Sequence, residues 1–337
     1  IIVGKEKEIT IVDSADRIVT VKKPLEKIVP YNLYCTETLR SLKLELDRIV
    51  GVVGFVHDEP LFYPELQDYP NLGCIFGPDI EKILSVNPDT VFLYGTFYKD
   101  KCNELQNTIL EVNPNIHVLR FDCYKPESYV EEIKKMGYIL DKKKEADEFI
   151  EFYKGCLNTI KEKVEGIPED ERPKVYLETG FGGYGTTGKG TVWHQTIEAA
   201  GGNNIFGDLS NPYPNVDPEE VVERNPEIII KSPWIAECGY ETDDITEFEN
   251  IWNEMMSRVE LAKVPAVEDK KVYIVDWDIS VSPSNFVAMA YYAKWFHPDI
   301  FEDLDPRAIH QEYLDRFQHI NFNVYEHGVF VYPPLKD

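Results

Sequence analysis

The chain has 337 residues, with 35 lysines and arginines against 60 aspartates and glutamates, a formal charge of −25. That surplus excludes nucleic acid as a partner, because a polyanion would meet net repulsion with no basic run to offset it. With 43% hydrophobic and 28% charged residues the composition is that of a folded chain, and its length fits two domains. No stretch approaches the roughly 18–20 uninterrupted apolar residues of a membrane helix. The densest basic run, Lys142-Lys143-Lys144, is followed by Glu145, Asp147 and Glu148, which makes it a solvated helix face.

The sequence opens on Ile1 without Met, and a preceding N-terminal segment, removed or omitted, is expected. Residues 9–13 and 17–21 are β-rich runs separated by Ser14-Ala15-Asp16, a hairpin pattern that Pro24 ends. A short buried strand is predicted at 27–31, a helix at 37–44 and a strand at 48–54. A helix at 81–86 then leads through Asn87-Pro88-Asp89 into a strand at 90–94, and another strand follows at 117–121. Strands alternating with helices at this spacing indicate parallel βαβ units. Residues 126–166 read as helical. From 142 to 165, Ala146, Phe149, Ile150, Tyr153, Leu157, Ile160 and Val164 form one apolar stripe, with Asp141 as N-cap and Gly166 as stop. At 1.5 Å per residue that helix is about 36 Å long. After a breaker-rich stretch at 168–173 the pattern restarts. Strands are predicted at 174–179, 228–231 and 271–276, with a helix at 191–200 and a closing amphipathic helix at 286–296.

The most informative feature is an internal echo. Residues 79–92 align without gaps to residues 217–230, and each copy reads Asp, Glu in the first turn, two apolar residues, Asn-Pro-acid, then a β-branched strand. Asp at the cap and Glu beside it suit the orphan N–H groups and the positive end of a helix. We therefore expect two α/β lobes of Rossmann type joined by one long helix, with the ligand cleft between them. The expected bounds are 1–140, 141–166 and 167–337.

Few motifs speak for catalysis. Gly180, Gly182 and Gly185 satisfy G-x-G-x-x-G, but the next helix starts only near Thr191, too late for a dinucleotide fingerprint. Gly183, Gly188 and Lys189 nearly make a phosphate loop, yet Gly190 stands where Ser or Thr should hold magnesium. The six cysteines show no C-x-x-C pair and read as buried thiols, and the seven histidines form no metal-ligand spacing. No catalytic residue, metal ligand or cofactor is assigned, and the alternative from another class is a metal- or nucleotide-dependent enzyme on the same fold.

Aromatic and polar residues gather instead at the predicted carboxyl ends of strands, where open parallel sheets bind ligands. The candidates are Tyr31, Asn32, Phe55, His57 and Tyr94 in the first half. Those in the second half are Tyr184, Thr186, Thr187, Lys189, Trp193, Trp234 and Trp277. Their plain structural alternative is that half of them are core or rim. As a set they offer aromatic walls with a few polar anchors. An oxyanion such as molybdate or tungstate is a third ligand option, cradled by the glycine-rich N–H groups with Thr186, Thr187 and Lys189.

Several blocks carry a family resemblance. The opening at 9–29, the run Asn71-Leu72-Gly73 to Val91, and Ala199-Ala200-Gly201-Gly202-Asn203-Asn204 match in order and spacing. So does Ser282-Pro283 followed by Trp295-Phe296-His297-Pro298. Together they are similar to ABC-transporter solute-binding proteins of ferric-siderophore, haem and cobalamin uptake. The resemblance implies an extracytoplasmic protein, periplasmic or on the cell surface and tethered through a lipid-modified N-terminus. It also implies a monomer that delivers a chelated metal, an iron complex first and a corrinoid second, to a permease dimer with its ATPase. By position, Glu81 and Glu219 match the surface glutamates with which that family docks on permease arginines.

Overall fold

The computed structural model describes residues 2–5, 7–180, 183–234 and 238–335. Strands β1 (Ile2–Lys5), β2 (Glu8–Val12) and β3 (Ile18–Lys22) form an antiparallel sheet in that order. The β2–β3 turn is held by buried Asp13, which accepts the N–H groups of Ala15 and Arg17 at 3.1 Å each. Strand β4 (Ile28–Pro30) leads to α1 (Leu33–Ser41), the short hairpin β5 (Gly73–Cys74) and β6 (Gly77–Pro78), then α2 (Ile80–Ser85). Strand β7 (Thr90–Leu93), α3 (Lys99–Val112), β8 (His117–Arg120) and α4 (Pro126–Ile139) follow. Strands β4, β7 and β8 make a parallel sheet in which Thr90 pairs with Ile28 on one side and His117 on the other.

The strand expected at 48–54 does not form. Its Val50 N–H bonds to Ile28 O and its Val52 N–H to Pro70 O, so the run changes partner halfway. Only isolated bridges result, flanked by 3₁₀ turns at Leu46–Arg48 and Gly54–Asp58. Nor does Asp141 cap the long helix. It sits at φ 61° in the break after α4, and α5 (Lys143–Val164) starts beyond it. Helix α3 was not predicted, although its buried Cys102, Leu105 and Ile109 recur at the three- and four-residue spacing of one helix face.

The second sheet runs β10 (Asn203–Asn204), β9 (Lys174–Thr179), β11 (Ile228–Ser232), β12 (Val272–Val275) and β13 (Val331–Tyr332). Its first four strands are parallel and β13 is an antiparallel edge. Around it stand α6 (Val192–Ala199), α7 (Pro218–Arg224), α8 (Thr246–Ser257), α9 (Pro265–Glu268), α10 (Trp277–Val281), α11 (Asn285–Phe296) and α12 (Pro306–Tyr313). Helix α11 is not amphipathic: every residue but Lys294 is buried, as expected of a helix covered on all sides. Lys294 is spent on three backbone carbonyls, those of Phe301, Glu302 and Leu304.

The chain divides into two compact units. One is Ile1–Phe152 with Arg316–Ile320, and the other is Tyr153–Asp315 with Asn321–Asp337. Helix α5 thus begins in the first unit and ends in the second. The excursion at Arg316–Ile320 leaves a π-helical turn, Leu314–Gln318. It seats Phe317 against Phe149 and Phe152, with ring centroids 5.0 and 4.9 Å away. Gln318 Nε2 donates to Ser41 Oγ at 2.7 Å and to Glu37 O at 3.3 Å.

The echo has a structural basis in both units. Asp79 caps α2 by accepting the Lys82 N–H at 3.0 Å, and Asp217 stands at the same position before α7. After each helix an asparagine turns left-handed, Asn87 at φ 49° and Asn225 at φ 52°. Asparagine tolerates that conformation better than other L residues, and the following proline bars further helix. The acid that follows caps the neighbouring strand. Asp89 accepts the Lys27 N–H at 2.9 Å, and Glu227 accepts the Lys174 N–H at the same distance. Asn-Pro-acid is therefore one device used twice. Replacing Asn225 by Gly should leave stability within a few tenths of a kcal/mol, whereas Asn225→Val should cost about 1–2 kcal/mol in urea unfolding.

His310 supplies a pH-dependent contribution. It is buried, its Nε2 shares a hydrogen bond with the Tyr240 hydroxyl at 2.6 Å, and burial drives its pKa down to about 3. In the unfolded chain it titrates near 6.5, so the unfolded state takes up a proton that the folded state refuses and stability falls below that pH. Between pH 6.5 and 5 the loss from this group should approach about 2 kcal/mol. The variant His310→Gln, compared with the parent by urea unfolding at pH 7 and pH 5, should lose correspondingly less.

Candidate functional site

In the first unit the loops beyond β7 and β8 are fixed by buried polar groups. Asp122 accepts the N–H groups of Gly95 at 2.9 Å and Thr96 at 2.8 Å, and the Thr96 hydroxyl at 2.6 Å. Glu132, reaching from α4, accepts the N–H groups of Asp122 at 3.0 Å and Cys123 at 2.7 Å, along with the Ser14 hydroxyl. Burial pushes the Glu132 carboxyl above its ordinary range, against the pull of these donors. From below, the fully buried Arg120 guanidinium donates to the carbonyls of Tyr94 and Gly95 and to Asn103.

A connected set of rings runs over these pinned loops, joined by Tyr34 from α1. Tyr34 meets Tyr94 at 6.0 Å and Tyr124 at 5.2 Å, Tyr94 meets Phe97 at 5.5 Å, and Phe97 meets Tyr98 at 4.0 Å. Phe76, at the tip of the β5–β6 hairpin and 48% exposed, continues the chain to Tyr98 at 4.7 Å. Tyr98 sits at φ 45°, a strained backbone of the kind that concentrates at functional sites.

Of the residues singled out from the sequence, only Tyr94 belongs to this set. Tyr31 is core, its hydroxyl donating to Leu72 O at 3.2 Å. Asn32 is the N-cap of α1 and donates to Phe121 O at 2.7 Å, a fully buried structural role. Phe55 and His57 lie half-buried on the turn at Gly54–Asp58, where His57 Nε2 meets Tyr69 O at 3.1 Å. Sequence reasoning missed Tyr34, Phe76, Phe97, Tyr98 and Tyr124. Phe97 and Tyr98, three and four residues after Tyr94 in the chain, were the one available signal.

In the second unit three tryptophans come together. Trp193 on α6 meets Trp277, the first residue of α10, edge-on at 4.9 Å, and Trp277 stacks on Trp234 at 5.9 Å with the planes 22° apart. Trp193 is only 2% exposed whereas Trp234, just beyond β11, is 52% exposed. A Cβ at Gly180 would collide with the Trp234 backbone, so glycine there is what lets the ends of β9 and β11 close up. Asp276 caps α10, and its fully buried carboxylate accepts the Cys238 thiol at 3.0 Å. Two polar atoms nearby in the chain, Trp193 Nε1 and Ser232 Oγ, are buried with no hydrogen-bond partner among the described residues.

The glycine-rich loop is hydrogen-bonded to the neighbouring segment 209–214. The N–H groups of Thr186, Gly188 and Lys189 bond to the carbonyls of Pro214, Pro212 and Leu209. Thr186 Oγ1 donates to Leu177 O at 2.6 Å, and the Thr187 hydroxyl pairs with that of Thr191, the N-cap of α6. Both threonines are fully buried with their hydroxyls engaged, so neither is open to an oxyanion as the sequence suggested; of the three side chains expected there, Lys189 alone faces water. Phe181 and Gly182 of the same run lie outside the described residues. Tyr184 leaves the loop to donate to Glu260 at 2.5 Å beneath the Arg258 guanidinium. Arg258 in turn chelates the buried Glu178, at 2.5 and 3.0 Å, which Lys231 also meets at 2.7 Å. Burial alone would raise the Glu178 pKa, but these two cations hold it down.

The other expected site residues, Glu81 and Glu219, are both exposed in the first turns of α2 and α7. All six cysteines are outside disulfides, and no group of three or more His, Cys, Asp or Glu suited to a metal ion occurs among the described residues. Removing the Asp122 carboxylate tests the pinned loop. Asp122→Ala leaves several buried donors unpaired and should cost about 2–4 kcal/mol in urea unfolding, whereas Asp122→Asn, which keeps an acceptor, should cost less.

Comparison with known families matches residues 28–278 to the family described as Periplasmic binding protein. A curated relative, the uncharacterized ABC transporter substrate-binding lipoprotein YvrC of Bacillus subtilis, is 26% identical over 88% of this chain and 87% of its own. The vitamin B12-binding protein of Salmonella paratyphi A is 24% identical over 74% of this chain and 85% of its own. Among solved structures, the TroA-like periplasmic binding protein FepB of Veillonella parvula superposes with a TM-score of 0.79 at 25% identity, covering 96% of this chain and 98% of that one. With a matched span of that length, laid over both parallel sheets, the chain belongs to the periplasmic binding protein family, the solute-binding components of ABC importers.

Proposed function

We propose that the protein captures a chelated metal outside the cytoplasmic membrane, an iron complex first, and hands it to an ABC permease and its ATPase. The observation that carries this reading is the pairing of pinned loops with exposed aromatic rings at the carboxyl ends of both parallel sheets. Flat apolar surface held rigidly suits a preformed site for a bulky ligand. A corrinoid is the second reading, favoured by the vitamin B12-binding relative. A binding role without catalysis agrees with where the buried carboxylates go: Asp122, Glu132 and Asp276 accept backbone or thiol hydrogens, and Glu178 is neutralised by cations. Neither a cofactor nor a second copy of the chain is part of this reading. Attachment by a lipid draws its support from the lipoprotein relative.

Native mass spectrometry of protein from its own source should show one chelate per chain. Turnover of a substrate without stoichiometric binding would remove the proposal. Docking would use Glu81 and Glu219, each exposed and beside a helix N-terminus, where it can serve both the dipole and a permease arginine. Reversing both charges should leave ligand affinity intact and abolish uptake; normal uptake by the double variant would exclude this docking mode.

A further inference from the structure

The face of the second unit also speaks to the charge of what it binds. Trp234 is a half-exposed ring backed by Trp277, which is itself braced by buried Trp193. A platform built this way offers dispersion and a π-face, and it is indifferent to hydrogen-bonding groups on the ligand rim. Recognition of an anion would need the opposite: donors that are unengaged and partly desolvated, arginine forks above all.

Those donors are already taken. Arg258 is held by Glu178 and Glu254, and Lys231 by Glu178 and Thr179 O. The N–H groups of Thr186, Gly188 and Lys189, the other anion-binding device at this end of the sheet, bond inward. Lys189 remains, an exposed point charge in water and therefore worth little. At the equivalent end of the first unit, Arg120 is buried under the Tyr94 and Gly95 carbonyls and Lys125 lies beside Asp122 at 3.5 Å. The lysines that open α3 there, Lys99 and Lys101, flank Asp100, and Lys101 sits over the Phe76 ring. A chain of charge −25 adds long-range repulsion of anions and attraction of cations.

We infer that the ligand is a metal chelate of neutral or positive net charge with a broad apolar face, gripped by stacking on Trp234 rather than by arginine. The inference rests on the solute-binding reading above and narrows its ligand class. It is tested on the full protein by tryptophan quenching and calorimetry with chelates that share a core and differ in charge. Ferrioxamine B is cationic, its N-acetyl derivative neutral and its N-succinyl derivative anionic. Cyanocobalamin adds a neutral macrocycle, while haemin, a ferric tris-catecholate and molybdate add anions.

The neutral or cationic chelates should bind, and at least one should do so about tenfold or more tighter than any anion in the set. Trp234→Ala should weaken that chelate about tenfold and Trp234→Phe much less, as expected for a lost stacking surface. Lys189→Glu should change its affinity less than about twofold, as expected for an exposed charge. An anion that binds as tightly as the neutral chelates, or that loses its affinity in Lys189→Glu, overturns the charge assignment and leaves the solute-binding role standing. Failure of every chelate to bind overturns both.

Discussion

Parallel sheets end in loops whose backbone N–H groups have no strand to bond, and this chain meets that constraint with buried carboxylates. Buried Asp122 and Glu132 close the loops of the first unit and buried Asp276 caps the helix beyond β12, while nearer the surface half-buried Asp89 and exposed Glu227 satisfy the leading N–H of a neighbouring strand. A charged acceptor is stronger than a neutral one, and leaving the donors held by Asp122, Glu132 or Asp276 unpaired inside the protein would cost more than the bond itself contributes. Part of the acidic surplus is therefore internal scaffolding. The aromatic rings on the loops it fixes stand where they do because of it.

What the sequence made legible was local. The repeated helix, left-handed asparagine, proline and capping acid all act within a few residues of one another, so their spacing carried the architecture. The tryptophans were legible for a related reason: each follows a strand or opens a helix that the pattern had located. Thr186 and Thr187 were misjudged because their partners, Leu177 and Thr191, are fixed by how the glycine-rich loop folds back on β9 and α6. Residues 48–54 looked like a strand on composition, but their hydrogen bonds are split between Ile28 and Pro70, a tertiary fact with no sequence signature. Helices α3 and α8 went unassigned although their apolar residues recur three and four apart, Cys102, Leu105 and Ile109 in one and Phe248, Ile251, Trp252, Met255 and Met256 in the other.

Family membership and residue chemistry supply different parts of the conclusion. The matched span and the superposition fix what kind of protein this is, since they cover both sheets. They leave the ligand open, because relatives of this fold bind unlike solutes. The distribution of charge and rings within this chain is what our inference about the ligand is drawn from, and a polyanion would call for arginine forks instead.

The excursion at Arg316–Ile320 bears on how the protein can be taken apart. Phe317 and Gln318 complete the interior of a body whose other residues end at Phe152, so that body is not encoded by one uninterrupted stretch. A fragment stopping after the first 152 residues would present an unfilled aromatic socket and a bare helix edge at Ser41. Anyone dissecting the molecule by truncation should expect the amino-terminal piece to lack its keystone, and a short peptide spanning the excursion to be what restores it.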